Sequence, residues 1–219
     1  MKSKILYIDK DILVIDKPAG IAVQTKKCGE IDCESEIKNE LITQGRSDVN
    51  LSVINRLDQP VSGIVLFALN KKAAAILSED LKNNNTDKIY KAKIYGHPEN
   101  KKGVLTDYIY KDGKSNTSYI VNEKDKRFKD AKKAVLEYEE YEDGYLTIKL
   151  ITGRHHQIRV QTAGMGHPIL GDMKYGNAAS TEETKRLAIK NICLNAYSLS
   201  FNHPSTMERM TFTSKHSDF

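Results

Sequence analysis

Residues 55–69 read Asn55-Arg56-Leu57-Asp58-Gln59-Pro60-Val61-Ser62-Gly63-Ile64-Val65-Leu66-Phe67-Ala68-Leu69. The last six form a continuous apolar run of strand length, and the Pro60-Val61-Ser62-Gly63 stretch before them carries turn chemistry. Asp58 is thereby placed at the mouth of a buried strand. Asn70 follows, suited to cap a helix in which Ala73, Ile76, Leu77 and Leu81 share one face. Upstream, 4–8 and 12–17 are short apolar strands joined through Asp9-Lys10-Asp11 as a hairpin, and Pro18-Ala19-Gly20 ends the second. A helix is expected over 30–44, with Ile37 and Leu41 four apart and Gly45 as its stop.

Downstream, 88–95 alternates like a half-buried strand. Tyr90, Ala92 and Ile94 fall on one face, Lys91 and Lys93 on the other. Further strands are expected at 104–110, 117–122, 133–140 and 145–151, with Gly144 turning the last pair into a hairpin. The segment 153–159 should open a helix that runs on through 160–163. Gly164, Gly166, Pro168 and Gly171 then break the chain into turns, and a last strand at 192–201 precedes a polar tail. Many strands and three helices without regular alternation indicate an α+β fold with a mixed, mainly antiparallel sheet. Neither a repeat nor a low-complexity linker interrupts the chain, so 1–219 is read as one domain.

The chain has 219 residues, 39% hydrophobic and 29% charged, a composition suited to a folded globular protein. No apolar run approaches the roughly 20 residues that cross a bilayer, and the N-terminus becomes charged too soon for a signal peptide. A cytoplasmic location follows. Cys28, Cys33 and Cys193 cannot all pair with one another, and they read as free thiols in a reducing compartment. Cys28 and Cys33 have a spacing that zinc can use, but no second ligand pair follows. Net charge is +5, and much of the excess sits in 124–133, with six cations against two anions. Such a run is ordinarily a solvated face; beside a polar site it would suit phosphates.

The chemistry-bearing residues form two clusters, 55–63 and Gly153-Arg154-His155-His156-Gln157-Ile158-Arg159. Asp58 can act as nucleophile, general base or partner of a cation. Taken alone, an Asp before a Pro/Ser/Gly turn reads as a turn-stabiliser. Arg159 shifts that balance, because a guanidinium beside a carboxylate favours its charged form and fixes its geometry. The alternative for the cationic and imidazole residues is a solvated helix face. Zinc binding by His155 and His156 is poorly supported, since neighbours diverge on a helix. Tyr90 is either a core residue or a flat platform for a nucleobase whose hydroxyl takes part in proton transfer.

In order along the chain, these segments resemble the pseudouridine synthases of the ribosomal large-subunit and tRNA branch, the RluA family. The resemblance starts at Ile15-Asp16-Lys17-Pro18-Ala19-Gly20 and runs through Arg56-Leu57-Asp58 with Ser62-Gly63, Lys88-Ile89-Tyr90-Lys91-Ala92, and Asp112-Gly113-Lys114 with Thr117. It continues through 152–160, Gly166-His167-Pro168-Ile169-Leu170-Gly171-Asp172 with Tyr175-Gly176, and His203-Pro204. It implies the pseudouridine synthase fold, a mixed, mainly antiparallel sheet with a central RNA-binding cleft and flanking helices. It gives Asp58 the role of catalytic aspartate, Tyr90 that of the tyrosine packing on the target base, and Arg159 that of the arginine pairing with the aspartate. It places Arg56 on the RNA near the flipped nucleotide; Arg154, His156, Gln157 and Lys114 are further candidates for RNA contact.

The reaction so implied breaks the bond from N1 to C1′ of a uridine, turns the uracil and rejoins it through C5. It needs neither metal nor organic cofactor. RNA, ribosomal or transfer, is the expected partner, with no membrane and no obligate protein partner, and a monomer suffices. The accessory N-terminal RNA-binding domain of some relatives is not expected. Asn55, Val61 and Asn195 stand where His, Thr and His are usual, which bears on geometry and target choice. Two other readings are a non-catalytic RNA-binding protein and a glycosidase. The first has no use for a carboxylate near phosphates, and the second wants two carboxylates across a bond.

Overall fold

The computed structural model describes residues 3–25, 29–46 and 50–216. Cys28 lies outside them. The chain divides into two compact units, Met1–Lys88 with Asn195–Asp218, and Ile89–Leu194. Among the described residues there are eleven strands and four α-helices, an α+β composition.

In the first unit, β1 (Lys4–Ile8) and β2 (Ile12–Lys17) form the expected hairpin. Asp9 makes its turn, with Oδ1 accepting from the N–H groups of Asp11 and Ile12 at 2.7 and 2.8 Å. β2 runs antiparallel to β4 (Ser62–Ala68), whose residues are all buried. The two-residue β3 (Ser52–Val53) also pairs with β4. β10 (Leu194–Asn202) lies parallel to β4, and β11 (Arg209–Thr213) returns antiparallel on β10. α1 (Cys33–Thr43) is capped by Asp32, and α2 (Lys71–Lys82) by Asn70, whose side chain accepts from the Ala73 N–H. The core joins Ile12, Val14, Ile64 and Leu66 of the strands to Ala73 and Leu77 of α2 and to Leu199 and Phe201 of β10.

In the second unit the strand order is β5 (Asp87–Lys93), β9 (Tyr145–Leu150), β8 (Lys132–Glu142), β6 (Lys102–Asp112), β7 (Thr117–Val121), all antiparallel to their neighbours. α3 (Gln157–Gly164) covers one face through Val160, which packs on Ile109 and Ala134. α4 (Ala178–Arg186) closes an Asn177–Ser180 capping box.

Three expectations change. The segment 153–156 is not helical: α3 begins at Gln157, and His156 before it takes the left-handed conformation, φ 54°. The polar tail contains β11, and 177–186 contains α4, a helix with no apolar periodicity. Cys33 and Cys193 are buried free thiols.

Candidate active site

Asp58 belongs to the first unit and is half-exposed, just ahead of β4. Its carbonyl accepts from the Val61 N–H at 3.0 Å, closing the Asp58–Val61 turn. Behind this turn lies Lys17, the end of β2, with 0% exposure. Its Nζ donates to the carbonyls of Pro18 (2.9 Å), Ile21 (2.8 Å) and Gln59 (3.2 Å), so one ammonium ties the 18–21 loop to the turn of Asp58. Two further bonds, Gly20 N–H to the Gln59 carbonyl (2.9 Å) and Gln59 Nε2 to the Gly20 carbonyl (3.1 Å), complete the tie. Burial pulls the Lys17 pKa down to about 8, against the attraction of Cys33 and Asp58.

The departures at 55, 61 and 195 turn out to be supports of this turn. Asn55 donates to the Ile64 carbonyl (3.0 Å) and accepts from the Leu66 N–H (2.7 Å), anchoring the approach to Asp58 on β4. Val61 is buried. Asn195 donates to Ser62 Oγ (2.8 Å) and Ser214 Oγ (3.1 Å), and Ser214 donates to Asp16 (2.8 Å). Gly63 has φ 124°, and a Cβ there would run into the Ala196 carbonyl of β10, so only glycine lets the parallel strand approach. Arg56 is exposed on this unit.

The remaining candidates lie in the second unit. Arg159, on α3, makes a side-on bidentate pair with Asp172: Nε to Oδ2 at 2.7 Å and Nη2 to Oδ1 at 2.8 Å, with side chains 7% and 0% exposed. Asp172 is itself held by the N–H groups of Lys174 (2.9 Å) and Tyr175 (3.2 Å). The Tyr175 ring lies 5.2 Å from the guanidinium carbon. Its hydroxyl accepts from the Ser118 N–H on β7 and meets His156 Nδ1, both at 2.7 Å. Burial raises the Tyr175 pKa, so the phenol stays protonated at neutral pH.

His155 and His156 do not diverge, because the left-handed residue at 156 folds the chain back. Their rings stack at 3.7 Å and 24°. His155 also meets Ser118 Oγ (2.9 Å) and Asn116 Oδ1 (3.0 Å), and Lys174 Nζ donates to the Asn116 carbonyl (3.1 Å). Together these clamp the tip of the β6–β7 hairpin, where Lys114 is exposed. Gln157 is buried: its Oε1 accepts from Thr152 Oγ1 (2.8 Å) and the Arg154 N–H (2.9 Å), and Nε2 donates to the Val135 carbonyl (3.1 Å). It shapes the 152–157 loop from within. Arg154 is half-exposed and donates to the Lys133 carbonyl at 2.8 Å. Tyr90, half-buried on β5, is opposite Ile148, which is opposite Tyr138 of β8. Tyr138 shares its face with Ala134, so Tyr90 stands on the sheet face that α3 covers.

Sequence reading places Asp172 and Tyr175 in the pattern but gives them no task. The available signal is a carboxylate in a glycine-broken stretch 13 positions after Arg159. Ser118, Asn116 and the packing of Lys17 carry no local signal, since each acts on a residue distant in sequence.

Residues 11–164 match the family model described as RNA pseudouridylate synthase. The chain belongs to this family of isomerases. It is 30% identical over 209 residues to the dual-specificity RNA pseudouridine synthase RluA of Escherichia coli, covering 95% of this chain and 90% of that protein. The ribosomal large subunit pseudouridine synthase C of Pasteurella multocida is 32% identical over 213 residues, 96% of this chain; there the match spans 63% of the relative's length. The solved human RNA pseudouridylate synthase domain containing 1 superposes with a TM-score of 0.77 at 22% identity, over 97% of this chain and 83% of that one. The fold is the pseudouridine synthase fold.

Proposed function

We propose that this chain converts specific uridines of structured ribosomal or transfer RNA to pseudouridine, with 1–219 working as one catalytic domain, as a cytoplasmic monomer. Asp58 is assigned as the catalytic carboxylate, Tyr90 as the platform under the target base, and Arg159 as the cation that keeps the carboxylate charged. Arg56, Arg154 and Lys114 are assigned to RNA, with His156 and Gln157 shaping the loop that presents Arg154. Among the described residues no helix is long and apolar enough to cross a membrane.

In the reaction the N1–C1′ bond breaks, the uracil turns, and a C5–C1′ bond forms. The proton lost from C5 is balanced by the one N1 gains, so no electron or group is exchanged with a cofactor. Asp58 serves by attacking the sugar or by removing a proton from it, and the Tyr90 hydroxyl is assigned to move a proton. Extruding the base costs a few kcal/mol, which stacking on Tyr90 and contact with Arg56 offset in part.

The observation that carries this reading is the arginine clamp. A guanidinium has five N–H donors in a rigid fork, and a side-on pair with one carboxylate fixes the direction of the rest. Asp172 and Tyr175 impose such a pose on Arg159. The test is a pseudouridine map of total RNA from parent cells, a deletion, and the deletion carrying Asp58→Asn. Loss of the same one or few sites in both altered strains is expected and names the substrate. An unchanged map in both, with the protein expressed in the parent, removes the enzymatic reading.

A further inference from the structure

The β6–β7 hairpin carries an aromatic and cationic surface on the side away from α3. Ile109 points to α3, where it meets Val160, so Tyr108 and Tyr110 on either side of it point to the opposite face. Register pairs Tyr110 with Tyr119, which therefore shares that face. The 3-10 turn Lys126–Asp130 then folds over these rings. Phe128 packs on Tyr108 at 4.7 Å, and the Arg127 guanidinium lies 4.9 Å from the Tyr119 ring centre and 5.7 Å from that of Tyr110. Asp125 holds the guanidinium with three bonds, Nε to Oδ1 (3.0 Å), Nε to Oδ2 (3.2 Å) and Nη2 to Oδ2 (2.7 Å).

The surface is open. Tyr108 is 41% exposed and Tyr119 38%, and Lys124, Lys126 and Lys129 of the adjoining turn, with Lys133 opposite Tyr108, are all solvent-facing. β7, beside them, is the outer strand of this unit's sheet. A merely solvated loop has no use for a cation pinned over two tyrosines. Pre-set rings and a held guanidinium beside exposed lysines match what RNA offers, flat bases spaced by phosphates.

We infer that this face is a second RNA-contact surface, which grips the substrate strand beside the β7 edge and takes no part in the chemical step. The inference rests on the reading of the substrate as RNA. Lysines supply phosphate contacts, and the Arg127–Tyr119 plane supplies stacking. Such a surface raises affinity for extended substrates and does not act on the reacting atoms.

The test uses total RNA from the deletion strain as the probe. Filter binding is measured across salt concentrations in the Asp58→Asn background, and pseudouridine formation with Asp58 intact. The variants are Lys124→Ala/Lys126→Ala/Lys129→Ala, Tyr119→Ser, and the equal-charge control Lys71→Ala/Lys72→Ala/Lys82→Ala, each checked for native circular dichroism. The triple surface variant should bind at least about tenfold more weakly at moderate salt, and its log–log salt slope should shrink by about 2, since each lost phosphate contact removes roughly 0.7–0.9. KM should rise with kcat unchanged. Tyr119→Ser should weaken binding with the slope kept. Unchanged affinity and slope in the triple variant, or the same loss in the control, overturns the inference. A wild type that binds through this surface yet forms no pseudouridine leaves the surface standing and removes the catalytic reading.

Discussion

Arg159 and Asp172 form a buried, side-on pair in which both carboxylate oxygens are engaged by Nε and Nη2 at 2.7 and 2.8 Å. Removing one member of such a pair strands the other charge in a site that water cannot repay, at a cost of about 3–5 kcal/mol. Asp172→Asn should therefore lower unfolding stability by about that much. It should also cut turnover more than RNA affinity, because the guanidinium loses its fixed direction. Denaturant unfolding and single-turnover rates check both; a variant with parental stability shows that the pair contributes nothing.

Tyr175 links three segments through one oxygen. Tyr175→Phe keeps the ring over Arg159 but leaves the Ser118 N–H and His156 Nδ1 without that partner. A loss of about 1–3 kcal/mol is expected for the stranded backbone donor. A Tm unchanged from the parent would show that another group takes the hydroxyl's place.

Asp58→Asn keeps the shape of the turn, whose closing bond uses the Asp58 backbone carbonyl. Product formation should fall by at least about 100-fold, the scale of a lost acid–base or nucleophilic group, with RNA affinity held within a few-fold. Pseudouridine yield on RNA from the deletion strain decides it.

Legibility followed the range of the interactions. β1 and β2 lie where apolar runs and an Asp-Lys-Asp turn put them, and the Asn70 cap is read from one residue and its successor. Both are local. β11 escaped because Arg209-Met210-Thr211-Phe212-Thr213 is a weak pattern that gains strand form by pairing with β10. α4 escaped because its residues are polar throughout, so its start is marked by a capping box and not by an apolar stripe. α3 starts later than its polar cluster suggests, since nothing local announces that His156 adopts φ 54°. In the candidate site, the sequence offers residue types but not their partners. The carboxylate that locks Arg159 and the ammonium behind Asp58 are chosen by tertiary folding.

Gly63→Ala tests the approach of β10 to β4. It asks an alanine to hold φ 124° and to overlap the Ala196 carbonyl, which combines backbone strain of about 1–3 kcal/mol with displacement of β10. A Tm drop of several degrees is expected. Gly113→Ala, where nothing lies within 4 Å, is the control and should be near neutral. Equal behaviour of the two would refute the packing argument.

Lys17 gives a pH dependence whose sign can be worked through. Its pKa is about 8 in the folded protein, against 10.5 for an unperturbed lysine. Below about pH 8 the lysine is protonated in both folded and unfolded chains, and the folded one bears the full cost of burying the charge. Between there and pH 10.5 the unfolded chain binds more protons, so stability rises with pH. The gain approaches on the order of 3 kcal/mol, since each pH unit between the two pKa values is worth about 1.4 kcal/mol. Lys17→Met lacks this titration and strands three carbonyls, so it should be less stable than the parent, and the gap should widen from about pH 7.5 to 10.5. Activity should move the other way, because a neutral amine has two N–H donors for three carbonyls and its hold on the turn of Asp58 loosens. A stability gap that stays level across this window would show that Lys17 does not titrate there.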